Sequence, residues 1–231
     1  MTPPRFAIGK RRRVALVAGG TGLVGRELLE ALIADSSVGA VHLLVRKRHA
    51  ELAKRNGLTQ HVVDYAKPLP DLPPADDAFC CLGTTIKAAG SQAAFRAVDF
   101  DAALAFARAA RASGATRLGL VSALGADAAS RVFYNRVKGE LEQAVKALGY
   151  DCVLLARPSL LIGDRVALGQ PARPLERAGA AFNVALGWLL PDSVRPIAAR
   201  TVALGLLRAV QQCDRPGVFT LPSHELQVLG R

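Results

Sequence analysis

The chain has 231 residues, 51% of them hydrophobic and 21% charged, with a formal net charge of +11. That length and balance fit a single globular domain with a sizeable core and a modest C-terminal elaboration, and they exclude disorder beyond the first dozen residues. The basic surplus is spread through nearly every segment and aromatics make up only 5%, so it reads as a solvated surface and nucleic acid is not expected as a partner.

The opening MTPPRFAIGKRRRVALVAGG mimics a signal peptide, with basic residues ahead of an apolar run. The run is too short for that role and ends in a glycine turn, so it reads as a first strand, Val14–Ala18. No apolar stretch approaches the roughly 18 residues of a membrane span. A soluble, cytoplasmic protein is therefore expected. After the turn, a helix is expected over Gly25–Ala34. A second strand, Val41–Val45, stops abruptly at Arg46, Lys47 and Arg48. A short third strand, His61–Val63, ends at Asp64, and the proline-rich KPLPDLPPADD that follows is a loop.

Ala78–Leu82 reads as a fourth strand, running on into Gly83 and Thr84. Asp99–Ser113 is a helix with an acid near its start and Gly114 beyond its end. Leu118–Val121 is a fifth strand, Arg131–Leu148 a long helix closed by Gly149, and Cys152–Ala156 a sixth strand leading into Arg157, Pro158 and Ser159. Beyond Gly163 the rhythm is broken by Pro171, Pro174, Pro191 and Pro196. Helices are expected at Leu175–Leu189 and Ala198–Gln212, and a short strand, Val218–Leu221, at the sheet edge. The apolar AGAAFNVALGWLLPDSV lines a pocket, packs under the sheet or meets a partner subunit.

Strands that are apolar throughout, rather than alternating, belong to a parallel sheet buried on both faces. The repeated β-α-β order then gives an α/β, doubly wound, Rossmann-type fold. Residues 13–162 form its dinucleotide-binding core and residues 163–231 a smaller substrate-side region. The four cysteines show no metal or disulfide spacing, and Cys80, Cys81 and Cys152 read as small buried hydrophobes in a reducing compartment. The four histidines are scattered. No metal site is expected.

The segment Val14–Gly25, VALVAGGTGLVG, places Gly19, Gly22 and Gly25 in G-x-x-G-x-x-G spacing between a strand and a helix. The first glycine turns the chain, the second lets backbone approach a pyrophosphate, and the third lets helix pack on strand. Thr21, Leu23 and Val24 lie in the same turn, whose helix N-terminus favours phosphate. At the end of strand two, NAD sites place an acid that holds the ribose hydroxyls. Here stand Arg46, Lys47 and Arg48 instead, suited to gripping a 2′-phosphate, or else forming a solvated basic loop. The reading is NADP(H) in preference to NAD(H), with Arg46 the chief contact.

Ser122 lies just past strand five, and Tyr134 and Lys138 share one face of the long helix, four residues apart. Tyrosine is a poor base at neutral pH, and a neighbouring ammonium favours its phenolate. Ser122 is expected to hold the substrate oxygen and stabilise charge developing there.

LVSALGA and YNRVK resemble the Ser and Tyr-x-x-x-Lys signature of the short-chain dehydrogenase/reductases, over residues 13 to about 165. The segments FCCLGTTIKAAGSQAAFRAVDFD, LVSALGADAASRVFYNRVKGELE and LLARPSLLIGDR resemble the Tat-interacting-protein-like oxidoreductases, an atypical branch. The resemblance implies that Lys138 bonds the nicotinamide ribose and that Leu82, Gly83 and Thr84 line the adenosine-ribose side. It also implies that Arg157, Pro158 and Ser159 pass near the nicotinamide. Asp64 matches the position that bonds the adenine amino group in relatives, or caps a turn. Many relatives carry an asparagine of a proton relay where Asp99 stands; the aspartate either holds a water or starts its helix favourably. Relatives often pair through the long helices, so a monomer or homodimer is expected.

Ala123 stands where nucleotide-sugar dehydratases place an acid, and the C-terminal part is short, which argues against sugar-nucleotide chemistry. The resulting expectation is an NADP(H)-dependent oxidoreductase acting on a small carbonyl or alcohol, the alternative being an NADP(H)-sensing protein with little turnover.

Overall fold

A computed structural model of the chain describes residues 11–163 and 195–231. The expected helix at 175–189, the prolines at 171, 174 and 191 and the apolar stretch 178–194 lie outside the described residues. Strands β1 (Arg13–Ala18), β2 (Val38–Val45), β3 (Leu58–Val62), β4 (Asp77–Cys80), β5 (Arg117–Val121) and β6 (Cys152–Arg157) alternate with helices. These are α1 (Leu23–Ala34), the short α2 (Ile86–Ala89) and α3 (Gln92–Arg96), α4 (Ala103–Ala112) and α5 (Phe133–Lys146). A two-stranded pair, β7 (Leu161–Ile162) and β8 (Ile197–Ala198), precedes α6 (Ala199–Gln212), β9 (Gly217–Pro222) and α7 (Ser223–Leu229).

The main sheet runs β3-β2-β1-β4-β5-β6-β9 and every pairing in it is parallel. Its apolar runs are buried on both faces, as the absence of alternation demands. Ala15 and Val17 turn to one face with Leu43, Phe79 and Leu154, where Leu28 and Leu32 of α1 and Leu206 and Val210 of α6 cover them. Leu16 and Ala18 turn to the other with Leu118 and Leu155, under Phe106 of α4 and Leu141 and Val145 of α5. Each such buried side chain contributes about 1.5–3 kcal/mol of transfer free energy. Among the described residues no helix is long and apolar enough to cross a membrane.

Three differences from the sequence expectation bear on the site. Helix α1 starts at Leu23, two residues before the expected Gly25, so the last glycine of the turn lies inside the first helical turn. After the short α2, the helical run that holds Asp99 begins at Gln92 rather than at Asp99, and a π-helical turn, Ala97–Ala102, joins α3 to α4. Asp99 therefore sits within a helical run and is fully buried, which removes the reading of it as an acid at a helix start. Third, Cys152 at the start of β6 and Cys213 just beyond α6 form a disulfide, with Cα atoms 6.7 Å apart. Folding brings together two cysteines 61 residues apart, a pairing that spacing does not disclose, and it corrects the reading of Cys152 as a lone buried thiol. Cys80 and Cys81 are free.

Candidate active site

The glycine turn stands at the carboxyl end of β1, in the centre of the sheet. Gly19 adopts φ +79°, and a Cβ there would lie 2.4 Å from the carbonyl carbon of Cys81. Gly25 packs α1 against the turn so closely that a Cβ would lie 2.1 Å from the Gly19 carbonyl oxygen. No larger residue fits either position. Gly22 caps α1, its N–H donating to the Gly19 carbonyl at 3.0 Å, and no side chain caps the helix. A Cβ at Gly22 would meet only the Gly19 oxygen, at 3.3 Å, so the front of the turn is open. The first turn of α1, Leu23, Val24 and Gly25, carries no acid. Its backbone N–H groups and the positive end of the helix dipole make an anion cradle beside the half-buried Thr21. The residues present thus fit a dinucleotide pyrophosphate.

Arg46, Lys47 and Arg48 follow β2 at the same edge, are exposed and enter no ion pair among the described residues. Asp64, beyond β3, accepts the Ala66 N–H at 3.0 Å in a tight turn, the turn-capping geometry that its sequence position left open. Leu82, Gly83 and Thr84 form the loop past β4.

Tyr134, Lys138 and Glu142 lie on one stripe of α5, one turn apart. Tyr134 is half-buried against Phe95 of α3, with ring centroids 5.3 Å apart. Lys138 and Asp99 are both buried, and the ammonium stands 2.7 Å from Asp99 Oδ1. Asp99 Oδ2 accepts the Thr84 N–H at 2.8 Å. Burial works to lower the Lys138 pKa, but the Asp99 carboxylate, helped by Tyr134, outweighs it and holds the group above the ordinary lysine value. A helical departure of the π kind commonly marks a functional position, and here it delivers the carboxylate to the lysine.

Ser122 extends the sheet past β5, its N–H donating to the Ala156 carbonyl at 2.7 Å. Its hydroxyl donates to Glu142 Oε1 at 2.6 Å. A serine has a single O–H to give, so in this arrangement Ser122 offers the cleft only lone pairs. That corrects the expectation of Ser122 as a donor to developing negative charge. Glu142 is held in turn by Arg157, from Nε at 2.9 Å and Nη2 at 2.5 Å. Arg157 thus faces α5. The Pro158 carbonyl accepts the Leu124 N–H at 3.1 Å, and the Ser159 hydroxyl turns to Ser223 and to the Arg195 carbonyl. Sequence reading did not single out Glu142. The available signal was a carboxylate two turns past Tyr134, on the stripe of α5 that faces the sheet.

A seven-stranded parallel sheet in this order, a glycine turn after β1 and a tyrosine–lysine pair on α5 define an NAD(P)-binding Rossmann oxidoreductase of the short-chain dehydrogenase/reductase class. No protein-family model matches the chain. The Emericella nidulans protein fmp52, mitochondrial, is 38% identical over 181 residues, 75% of this chain and 76% of that protein. Rattus norvegicus HTATIP2 is 35% identical over 188 residues, 79% and 74% of the two chains. The chain belongs to the family of these proteins, the Tat-interacting-protein-like branch of the atypical short-chain dehydrogenase/reductases. Among solved structures, the Helicobacter pylori ADP-L-glycero-D-manno-heptose-6-epimerase shares the fold, with a TM-score of 0.68, 16% identity, and 92% and 77% of the two chains covered. The fungal relatives are named mitochondrial, which overturns the expectation of a cytoplasmic protein.

Proposed function

We propose that the chain is an NADP(H)-dependent oxidoreductase that moves a hydride to or from a small carbonyl or alcohol. The bound cofactor supplies or accepts that hydride at its nicotinamide ring. Gly19, Thr21, Gly22, Leu23, Val24 and Gly25 cradle its pyrophosphate, and Arg46, with Lys47 and Arg48, grips the 2′-phosphate. Asp64 borders the adenine, and Leu82, Gly83 and Thr84 the adenosine ribose. Lys138 holds the nicotinamide ribose, Tyr134 exchanges a proton with the substrate oxygen, and Ser122 accepts a hydrogen bond at the reacting end. Pro158 and Ser159 carry the backbone past the nicotinamide, and Arg157 keeps Ser122 in place through Glu142. Residues 163–231 supply the substrate side; Gly163 already packs on Leu23, where a Cβ would lie 2.6 Å from Leu23 Cδ1.

The observation that carries this reading is Tyr134 one helical turn from a buried, charged Lys138. A packed aromatic beside a snorkelling lysine would leave the ammonium in water. Purified protein is expected to consume NADPH with members of a panel of aldehydes, ketones and quinones. Tyr134→Phe is expected to abolish turnover while NADPH binding persists. Arg46→Ala is expected to weaken NADPH binding by about 1–3 kcal/mol and leave NADH binding nearly unchanged; equal losses overturn the cofactor preference. The engagement of the Ser122 hydroxyl by Glu142 favours a second reading, an NADP(H)-sensing protein, and tight NADPH binding without turnover across the panel decides for it.

A further inference from the structure

We propose that Asp99 is a cofactor-positioning residue: its carboxylate holds Lys138 with one oxygen and the Thr84 loop with the other, and so sets two dinucleotide contacts in one register. This rests on the reading above, in which Lys138 meets the nicotinamide ribose and residues 82–84 the adenosine ribose. Both Asp99 oxygens are taken up within the protein. Oδ1 stands 2.7 Å from the Lys138 ammonium, and Oδ2 accepts the Thr84 N–H at 2.8 Å. The π-helical turn Ala97–Ala102 carries the carboxylate in, α5 carries the lysine and the loop past β4 carries the N–H. Three separate segments thus meet on one fully buried side chain.

Charge is what an amide in the same place would not supply. Lys138 is 3% exposed, and a buried ammonium with no anion beside it gives up its proton. The other groups that act on it are the Tyr134 phenol, one turn away on α5, and the Cys80 thiol at the end of β4, which burial pushes up to about 11. The Asp99 carboxylate is therefore what keeps the lysine an ammonium. An ammonium has more hydrogens than Asp99 takes up, so Lys138 retains charge-assisted donors for a ribose hydroxyl. Gly83 leaves the pair open on its own side. A Cβ there would lie 3.5 Å from Asp99 Oδ1 and 3.6 Å from Lys138 Nζ, so any longer side chain at this position would lie over both groups.

Binding measurements separate positioning from support of the fold, with no turnover involved. In Asp99→Asn the amide oxygen still accepts the Thr84 N–H, while the NH2 group faces Lys138. A neutral amine can accept from that group and an ammonium cannot, so the lysine sheds its charge and the loop stays held. Asp99→Asn is expected to weaken NADPH binding about tenfold, the margin of a charge-assisted over a neutral hydrogen bond. The adenosine half alone, 2′,5′-ADP, is expected to keep its affinity within about twofold, because its loop is still held. If NADH binds more tightly than NADPH, NADH and ADP are the pair to compare. In protein carrying 13C at the lysine Cε, the Lys138 signal is identified by its loss in Lys138→Met. At about pH 8 it is expected to be that of an ammonium in the wild type and of an amine in Asp99→Asn. Equal losses for whole and half cofactor overturn the proposal, as does a Lys138 signal that stays that of an ammonium. If Asp99→Asn fails to fold, Asp99→Asn/Lys138→Met, which leaves no unpaired charge, must show the same split between whole and half cofactor. Wild-type protein that binds neither dinucleotide refutes the cofactor reading and this proposal with it. The split seen without turnover of any substrate refutes only the hydride-transfer reading.

Discussion

In Arg157→Ala the Glu142 carboxylate loses both guanidinium bonds and keeps only the Ser122 hydroxyl. Its side chain is 2% exposed, so water does not replace what is lost. An uncompensated buried charge of this kind costs about 3–5 kcal/mol of folding stability. Glu142→Ala removes the same ion pair from the other side. It strands a guanidinium that is 30% exposed and reaches water, leaving chiefly the Ser122 hydroxyl without its acceptor, at about 1–3 kcal/mol. Arg157→Ala is therefore expected to be the more damaging change by about 2 kcal/mol, and Glu142→Ala added to it is expected to restore stability rather than subtract further. Urea denaturation followed by circular dichroism measures all three variants. Additive losses, or a larger loss for Glu142→Ala, would refute the account of Glu142 as a buried charge that depends on Arg157.

His42 of β2 and His61 of β3 are joined by an Nδ1–Nε2 hydrogen bond of 3.0 Å, which requires one ring to accept and so to stay neutral. Burial lowers both pKa values, with repulsion from His61 adding to the effect at His42. The unfolded chain therefore takes up protons first as pH falls through about 6.5. Stability is expected to be complete above that pH and to decline below it, and His61→Gln is expected to flatten the decline in urea melts. For the Cys152–Cys213 disulfide, thiol counting on the unfolded, unreduced chain is expected to find two free thiols, those of Cys80 and Cys81. Reduction or Cys213→Ser is expected to lower stability by about 2–4 kcal/mol. A count of four would dispose of the bond.

What the sequence disclosed, and what it withheld, follow one physical division. Strands β1, β4 and β6 were legible because a strand buried on both faces must be apolar throughout, and the turn after β1 because Gly19 and Gly25 meet backbone at distances no side chain tolerates. Tyr134 and Lys138 were legible because a helix alone sets their spacing. These are constraints within a few residues of chain. Asp99, Glu142 and Cys213 are different: each is defined by a partner brought to it from 15 to 61 positions away in chain order. Asp99 read as an acid near a helix start because the π-helical turn that buries it leaves no periodic trace. Glu142 carries no signal of its own on an amphipathic helix; only Ser122 and Arg157, closing on it, give it a role. The legible residues name the class of chemistry. The withheld ones hold its parts in place: Asp99 pairs with the buried lysine, and Glu142 accepts the serine hydroxyl's hydrogen bond. A relative that kept the tyrosine and lysine but lost either carboxylate would share this fold and signature and leave the lysine or the serine without its buried partner.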